Sequence, residues 1–195
     1  MQSFRSNLIK LLSRVLREIS RKLRLLYYNA TVFGYYKPFP YSTTIYGRIR
    51  TLDTPCNVRL GKSCRIGDDA YFATTQHAEI CISDEVNINL GCVFVSIVGI
   101  SVGERTSIAE YVSIRDQEHR FDPNLGSRDL GYISGKVKIG KNVWIGRGVY
   151  IGPNVEIGDG SIVAANSVVR DSFPGSVLIA GAPATVKRTL VTERP

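Results

Sequence analysis

Residues 137–170 read VKIGKNVWIGRGVYIGPNVEIGDGSIVAANSVVR, and the spacing inside this stretch decides the fold. An aliphatic residue returns every six places, at Ile139, Ile145, Ile151, Ile157, Val163 and Val169. A small residue follows the first five, at Gly140, Gly146, Gly152, Gly158 and Ala164. Four places after each aliphatic stands a small or β-branched residue: Val143, Val149, Val155, Ser161 and Ser167. A unit of six residues cannot bury its own apolar face, so such units must stack. The pattern predicts an all-β chain wound as a parallel β-helix, with the aliphatic residue pointing inward and the small residue bending the chain at a corner.

The same count returns upstream at Thr54, Leu60, Ile66 and Phe72, at Ile82, Ile88 and Phe94, and at Val102, Ile108 and Ile114. The sixteen units, at three per turn, predict about five turns. The count fails hardest after Ile114: Ile139 lies 25 residues on, which is not a multiple of six. Residues 119–136 therefore leave the coil as a protruding loop, where function is expected on a rigid scaffold. The chain divides into a helical leader and linker at 1–44, the coil at 45–180, and a C-terminal segment at 181–195. Pro38 and Pro40 mark the linker, and a short helix is expected in the C-terminal segment. The open ends of the coil are exposed sheet edges, which the leader and the C-terminal segment are placed to cover.

Composition agrees with a narrow core. Hydrophobic residues make up 44% of the 195, with one methionine and one tryptophan. The four cysteines at 56, 64, 81 and 92 form no C-x-x-C pair, and Cys64 and Cys92 fall on the small inward position. They read as buried, reduced thiols of a cytoplasmic protein.

The net charge is +8, and most of it sits in the leader. Residues 1–28 hold Arg5, Lys10, Arg14, Arg17, Arg21, Lys22 and Arg24 against Glu18 alone. Leu8, Leu12, Val15, Ile19, Leu23 and Leu26 recur at helical spacing, with most of the basic residues on the opposite face. Two roles fit this basic amphipathic helix: peripheral contact with an anionic membrane, or packing of its apolar face on the coil end or on partner subunits. Charges interrupt every apolar stretch, which argues against a signal peptide or a spanning helix. No base-reading motif follows, so nucleic acid is not an expected partner.

Only two histidines are present, His77 and His119. A three-histidine metal site cannot be built from them within one chain, and no metal is expected. No nucleophile elbow, P-loop or dinucleotide fingerprint occurs. His77 reads as structural. His119, in SIRDQEHRF, stands at the foot of the loop, where an imidazole can take up a proton near neutral pH. Asp116 and Glu118 are its candidate orienting partners.

The stretches NVWIGRGVYIGPNVEIGDGSIVAANSVV and FPGSVLIAGAPATVKR resemble the coenzyme A-dependent acyltransferases of the left-handed β-helix, hexapeptide-repeat family. The resemblance covers roughly residues 54–190 and is nearest to the maltose, galactoside and lipopolysaccharide O-acetyltransferases. It implies a left-handed coil, acetyl-CoA as co-substrate, and a homotrimer with active sites between subunits. It implies that His119 is the general base and that Asn89 approaches the acceptor across the subunit boundary; a corner-ladder role for Asn89 stays open. It places Trp144 beside the pantetheine arm and the acceptor, although a surface aromatic buried between subunits fits equally. Ala165 and Ser167 are implied to line the coenzyme A groove, and Ala182 and Pro183 to meet the adenine. Lys187 and Arg188 either neutralise the 3′-phosphate or belong to the expected C-terminal helix. Asn166 replaces the glycine usual in the family at that turn, and asparagine tolerates the left-handed conformation. Arg128 and Tyr132 in the loop are candidate sugar contacts.

The leading expectation is an acetyl-CoA-dependent O-acetyltransferase acting on a sugar or lipid-linked sugar hydroxyl in capsule or lipopolysaccharide assembly. Its location is cytoplasmic, peripheral on the inner face of the cell membrane. The alternatives are N-acetylation of an amino sugar or other small amine, and a non-catalytic β-helical scaffold.

Overall fold

A computed structural model describes residues 2–33, 37–52, 56–128 and 130–191. The repeat position Thr54, the linker residues Tyr35 and Tyr36, and the last four residues lie outside that set.

The coil is the predicted parallel β-helix, built of three faces. The first face runs through Thr44–Ile45, Arg65–Ile66, Asn87–Ile88, Ser107–Ile108, Trp144–Ile145, Ile162–Val163 and Val177–Gly181, all parallel. The second runs through Ile49–Thr51, Ala70–Thr74, Val93–Ser96, Ser113–Arg115, Tyr150–Ile151 and Val168–Val169. The third runs through Val58–Leu60, Ile80–Ile82, Ile100–Val102, Val137–Ile139 and Glu156–Ile157. Seven parallel strands on the first face make about six turns, one more than the repeat count predicts. The extra strands, Thr44–Ile45, Ile49–Thr51 and Val177–Gly181, lie outside the six-residue series.

The register explains the repeat. Ile66, Ile88, Ile108, Ile145 and Val163 stack in one inward column, all buried. The inward small positions behave alike: Val143, Val149, Val155, Ser161 and Ser167 are all within 1% of fully buried. From Ile139 to Val163 the third residue after each aliphatic turns the corner with positive φ, at Asn142, Gly148, Asn154, Gly160 and Asn166, the last at +58°. Asparagine is one of the few non-glycine residues that tolerate this left-handed geometry.

Cys56, Cys64 and Cys92 are buried free thiols, and Cys81 is half-buried. Burial pushes the Cys92 thiol up to about 11.

The first end of the coil is closed by the leader. Helix α1 (Gln2–Tyr28) runs on through a π-helical turn, Asn29–Phe33. Leu25, Tyr28, Phe33 and Phe39 are buried, Phe33 stacks on Phe39 at 4.3 Å, and its edge meets Phe72 at 6.3 Å. The Asn29 amide bonds both the N–H and the C=O of Phe39. The Tyr28 hydroxyl accepts from the Ile49 N–H at 2.8 Å and lies 3.3 Å from its carbonyl oxygen. The apolar stripe of α1 does not pack on its own coil: Leu12, Val15, Ile19, Leu23 and Leu26 are all exposed.

The C-terminal segment departs from expectation. The short helix predicted there is a strand, Ala184–Thr189, paired antiparallel to Val177–Gly181. Thr185, Val186 and Thr189 are β-branched, and the last coil strand offers an unpaired row of backbone groups. An isolated helix of so few residues has no comparable stabilisation.

The buried Tyr28 hydroxyl is the polar tie between α1 and the coil. Tyr28→Phe is expected to cost about 1–3 kcal/mol in chemical denaturation, because the Ile49 backbone loses its partner without access to water. A change within error would mean that the tie contributes nothing.

Candidate active site

The loop after Ile114 leaves at the corner between the second and third faces. It rises as a two-stranded antiparallel ladder, Gln117–His119 against Tyr132–Ser134, with His119 directly opposite Tyr132. The two rings lie 4.6 Å apart, tilted by 47°. His119 is exposed, and so are Phe121, Leu125, Tyr132 and Ile133, an unusually apolar surface for a loop. Asp122 folds the tip, accepting from the N–H groups of Asn124 and Leu125. Arg128 is exposed near the tip and forms no ion pair among the described residues.

Neither expected partner of His119 faces it. Asp116 is fully buried and turns back into the coil. Its carboxylate accepts from the Ser96 hydroxyl at 2.6 Å and from the N–H groups of Ile97, Val98 and Gly99 at 2.8, 2.9 and 2.6 Å. It therefore shapes the preceding turn and anchors the root of the hairpin. Glu118 points to the opposite side of the strand from His119, because successive side chains alternate. It accepts from the Tyr150 hydroxyl at 2.5 Å and from both terminal nitrogens of Arg170 at 3.0 Å. Arg170 also lies over the Tyr150 ring. This cluster straps the hairpin to the second face, and proximity in sequence to His119 gave no sign of it.

A separate groove of about 530 Å³ runs along the corner between the first and second faces. Its walls include Ala109, Trp144, Gly146, Ile162, Ala164 and Ala165, so most of the lining is apolar. Trp144, Ile162 and Leu178 form one outward column, since Trp144 pairs with Ile162 and Ile162 with Leu178. Trp144 is 55% exposed, which is high for the one tryptophan of a compact coil. Gly146 is required here: a Cβ at that position would come within 2.6 Å of the Ala165 backbone nitrogen.

Asn89 occupies the same corner one rung before Ala109, as the backbone bonds Asn89 N to Ile108 O and Ala109 N to Ile145 O show. Its side-chain amide donates to the Ile108 carbonyl at 3.0 Å, the corner-ladder geometry, while the residue remains exposed. Beyond the far end of the groove, Arg188 pairs with Leu178 on the outward side, and Lys187 sits at the register shift. Ala182 and Pro183 are exposed in the turn between the last two strands.

Ser167 corrects the expectation for the groove. It is 1% exposed, donates to the Ala164 carbonyl at 2.7 Å and accepts from the Gly181 N–H at 3.3 Å. Its hydroxyl lies inside the coil, where it supports the groove floor and cannot line it. The inward position in the six-residue count already carried that information.

The candidate residues thus form two groups on different corners. Trp144 and Ala165 line the groove between the first and second faces, with Asn89 one rung before it on the same corner and Arg188 beyond its far end, whereas His119 and Tyr132 stand on the hairpin between the second and third. Among the described residues no group of three or more histidine, cysteine or acidic side chains is placed to hold a metal ion.

The chain is thus a stacked hexapeptide coil with an exposed histidine on a corner hairpin and an apolar groove along another corner. The Bacterial transferase hexapeptide (six repeats) profile matches residues 136–171. Over 155 residues the chain is 32% identical to WbbJ of Escherichia coli (strain K12), a putative lipopolysaccharide biosynthesis O-acetyl transferase, covering 72% of this chain and 79% of that one. The chain belongs to the hexapeptide-repeat acyltransferases, whose coil is a left-handed parallel β-helix. A maltose O-acetyltransferase from Clostridium difficile 630 superposes with a TM-score of 0.55 at 26% identity, covering 78% of this chain and 71% of that one. AntD, an N-acyltransferase from Bacillus cereus solved with coenzyme A and dTDP-4-amino-4,6-dideoxyglucose, shares the fold with a TM-score of 0.68 at 21% identity, covering 78% and 82%.

Burial, and then the Glu118 carboxylate, push the Tyr150 phenol up to about 12. The raised value means that the neutral phenol stabilises the fold below about pH 10, the ordinary tyrosine range. That contribution is lost as pH climbs through about 12. Ultraviolet titration is expected to show one late phenol that disappears in Tyr150→Phe and titrates earlier in Glu118→Gln. An unchanged titration in Glu118→Gln would show that the strap does not form.

Proposed function

We propose that the protein is an acetyl-CoA-dependent O-acetyltransferase acting on a hydroxyl of a sugar or lipid-linked sugar, with His119 as general base. The observation that carries this reading is the exposed imidazole at the foot of a hairpin that projects from a rigid coil. Coenzyme A supplies the acetyl group as an activated thioester. The groove suits its pantetheine arm: it is narrow, mostly apolar and edged by backbone groups, with Ala182 and Pro183 toward one end. Arg188, with Lys187 beside it, supplies positive charge for the 3′-phosphate.

His119 accepts the hydroxyl proton as the acceptor oxygen bonds to the acetyl carbonyl carbon. A corner N–H of the coil stabilises the charge that develops on the carbonyl oxygen. The carbon–sulfur bond then breaks, and the imidazolium returns the proton to the departing sulfur. Tyr132 faces His119 across the ladder and, with Arg128, is placed to contact the acceptor.

His119 and the groove occupy different corners of one chain, so a complete site calls for two chains. A homotrimer meets that need: the apolar hairpin seats on the neighbour, bringing His119 to its Trp144 and Asn89. An acceptor drawn from polysaccharide assembly at the cytoplasmic face of a membrane agrees with the likeness to the lipopolysaccharide enzyme and with the basic leader.

An acetyl-CoA consumption screen over sugars, lipid-linked sugars and amino sugars tests the reaction class. Alkali-labile esters are the expected products; turnover confined to amines, with alkali-stable products, would contradict O-transfer. His119→Ala is expected to lower kcat/KM by about 10²–10⁴-fold with an unchanged thermal midpoint. Full activity in that variant would remove His119 as base.

A further inference from the structure

The C-terminal half of α1 is fixed in its roll by the face it turns to the coil. The Arg21 guanidinium stacks over the Tyr46 ring at 4.7 Å, and Arg24 Nε donates to the Ile45 carbonyl at 3.3 Å. Leu25 and Tyr28 are buried beside them. The basic side of the helix therefore faces its own coil, the reverse of an ordinary amphipathic helix packed on a core.

The apolar stripe is left on the outside. Leu12, Val15, Leu16, Ile19, Leu23 and Leu26 lie on one side at helical spacing and are 47–64% exposed. A continuous stripe of this kind marks an interaction surface.

Charge selects what covers it. Seven cations stand against one anion in residues 1–28. Glu18 is engaged by Arg21, and Lys10, Arg14 and Lys22 form no ion pair among the described residues. A second copy on the stripe would bring together two segments that each carry seven cations against one anion, whereas an anionic lipid surface attracts the cations on the polar face that the coil does not hold. No helix among the described residues is long and apolar enough to cross a membrane, so α1 would lie in the plane of the interface.

We infer that α1 docks on an anionic membrane surface through the stripe from Leu12 to Leu26, with the coil held on the solvent side by the last turns of the helix. Fixing the roll of α1 on the coil presents the stripe without requiring the leader to unfold or detach. The inference concerns residues outside the groove and the hairpin, and its test does not read acetyl transfer.

Flotation of the full chain with vesicles provides the test. The protein is expected to float with phosphatidylglycerol-containing vesicles and several-fold less with pure phosphatidylcholine. The Leu16→Glu, Ile19→Glu, Leu23→Glu triple variant is expected to lose flotation by about tenfold or more. It should keep the wild-type thermal midpoint and oligomeric mass, because these side chains are exposed. Lys10→Glu, Arg14→Glu, Lys22→Glu is expected to abolish the preference for anionic lipid. Absence of wild-type flotation, equal binding to both vesicle types, or full flotation of the triple variant would overturn the inference. So would a fall in oligomeric mass of the triple variant, which would assign the stripe to contact between copies.

Discussion

Each turn of the coil buries its aliphatic residues only because another turn lies above and below it. That constraint governs the molecule. Ile108 is enclosed by Ile88 and Ile145 in adjacent rungs, and no single rung has an inside of its own. The parallel ladders carry this stacking along three faces, so a side chain's function depends on which face or corner its place in the six-residue unit assigns it to. Inward positions support, outward positions present, and the corners bring backbone within reach of a ligand. The two ends are where stacking fails, and the chain closes them with different devices. One is an aromatic plug of Tyr28, Phe33 and Phe39, and the other is an antiparallel strand.

A coil this regular has little freedom to gather reactive groups, and the functional residues reflect that. Trp144, Ala165 and Asn89 sit at one corner because they occupy outward or corner places in successive repeats. His119 can reach beyond the coil only because the repeat is interrupted after Ile114. The interruption needs anchoring, and two carboxylates provide it. Asp116 holds the turn at Ser96–Gly99 beneath the hairpin, and Glu118 holds Tyr150 and Arg170 on the second face. A rigidly rooted hairpin keeps an exposed imidazole at a fixed position, which general-base chemistry requires. Separation of the imidazole from the groove within one chain is the physical reason for proposing a site shared between copies.

Much of this architecture was legible in the sequence, and the limits are instructive. The period from Ile139 to Val169, the break in the count after Ile114 and the helical spacing of the leader are legible in the sequence. Each of these is written in local spacing. The rung at Thr44–Thr51 falls within the expected coil span but outside the six-residue count, because it shows no run of repeats, only isolated inward residues such as Ile45 and Ile49. The C-terminal strand is not legible in its own segment, because its stabilising partner, the edge of Val177–Gly181, belongs to the fold. Adjacency in sequence suggests Asp116 and Glu118 as partners of His119, yet strand alternation and burial direct them elsewhere. Ser167 could have been placed inward by counting. The outward roll of α1 was not legible, since an amphipathic pattern does not state which face meets the chain's own core.

The most direct test of the shared site is subunit complementation. His119→Ala removes the imidazole, and Ala165→Phe fills the groove with an exposed side chain that leaves the core intact. Each variant alone is expected to be nearly inactive. Denatured together and refolded as mixed oligomers, they should regain acetyl transfer, because a mixed ring contains one junction where an intact hairpin meets an intact groove. No recovery in mixed oligomers of native mass would contradict a site built from two chains.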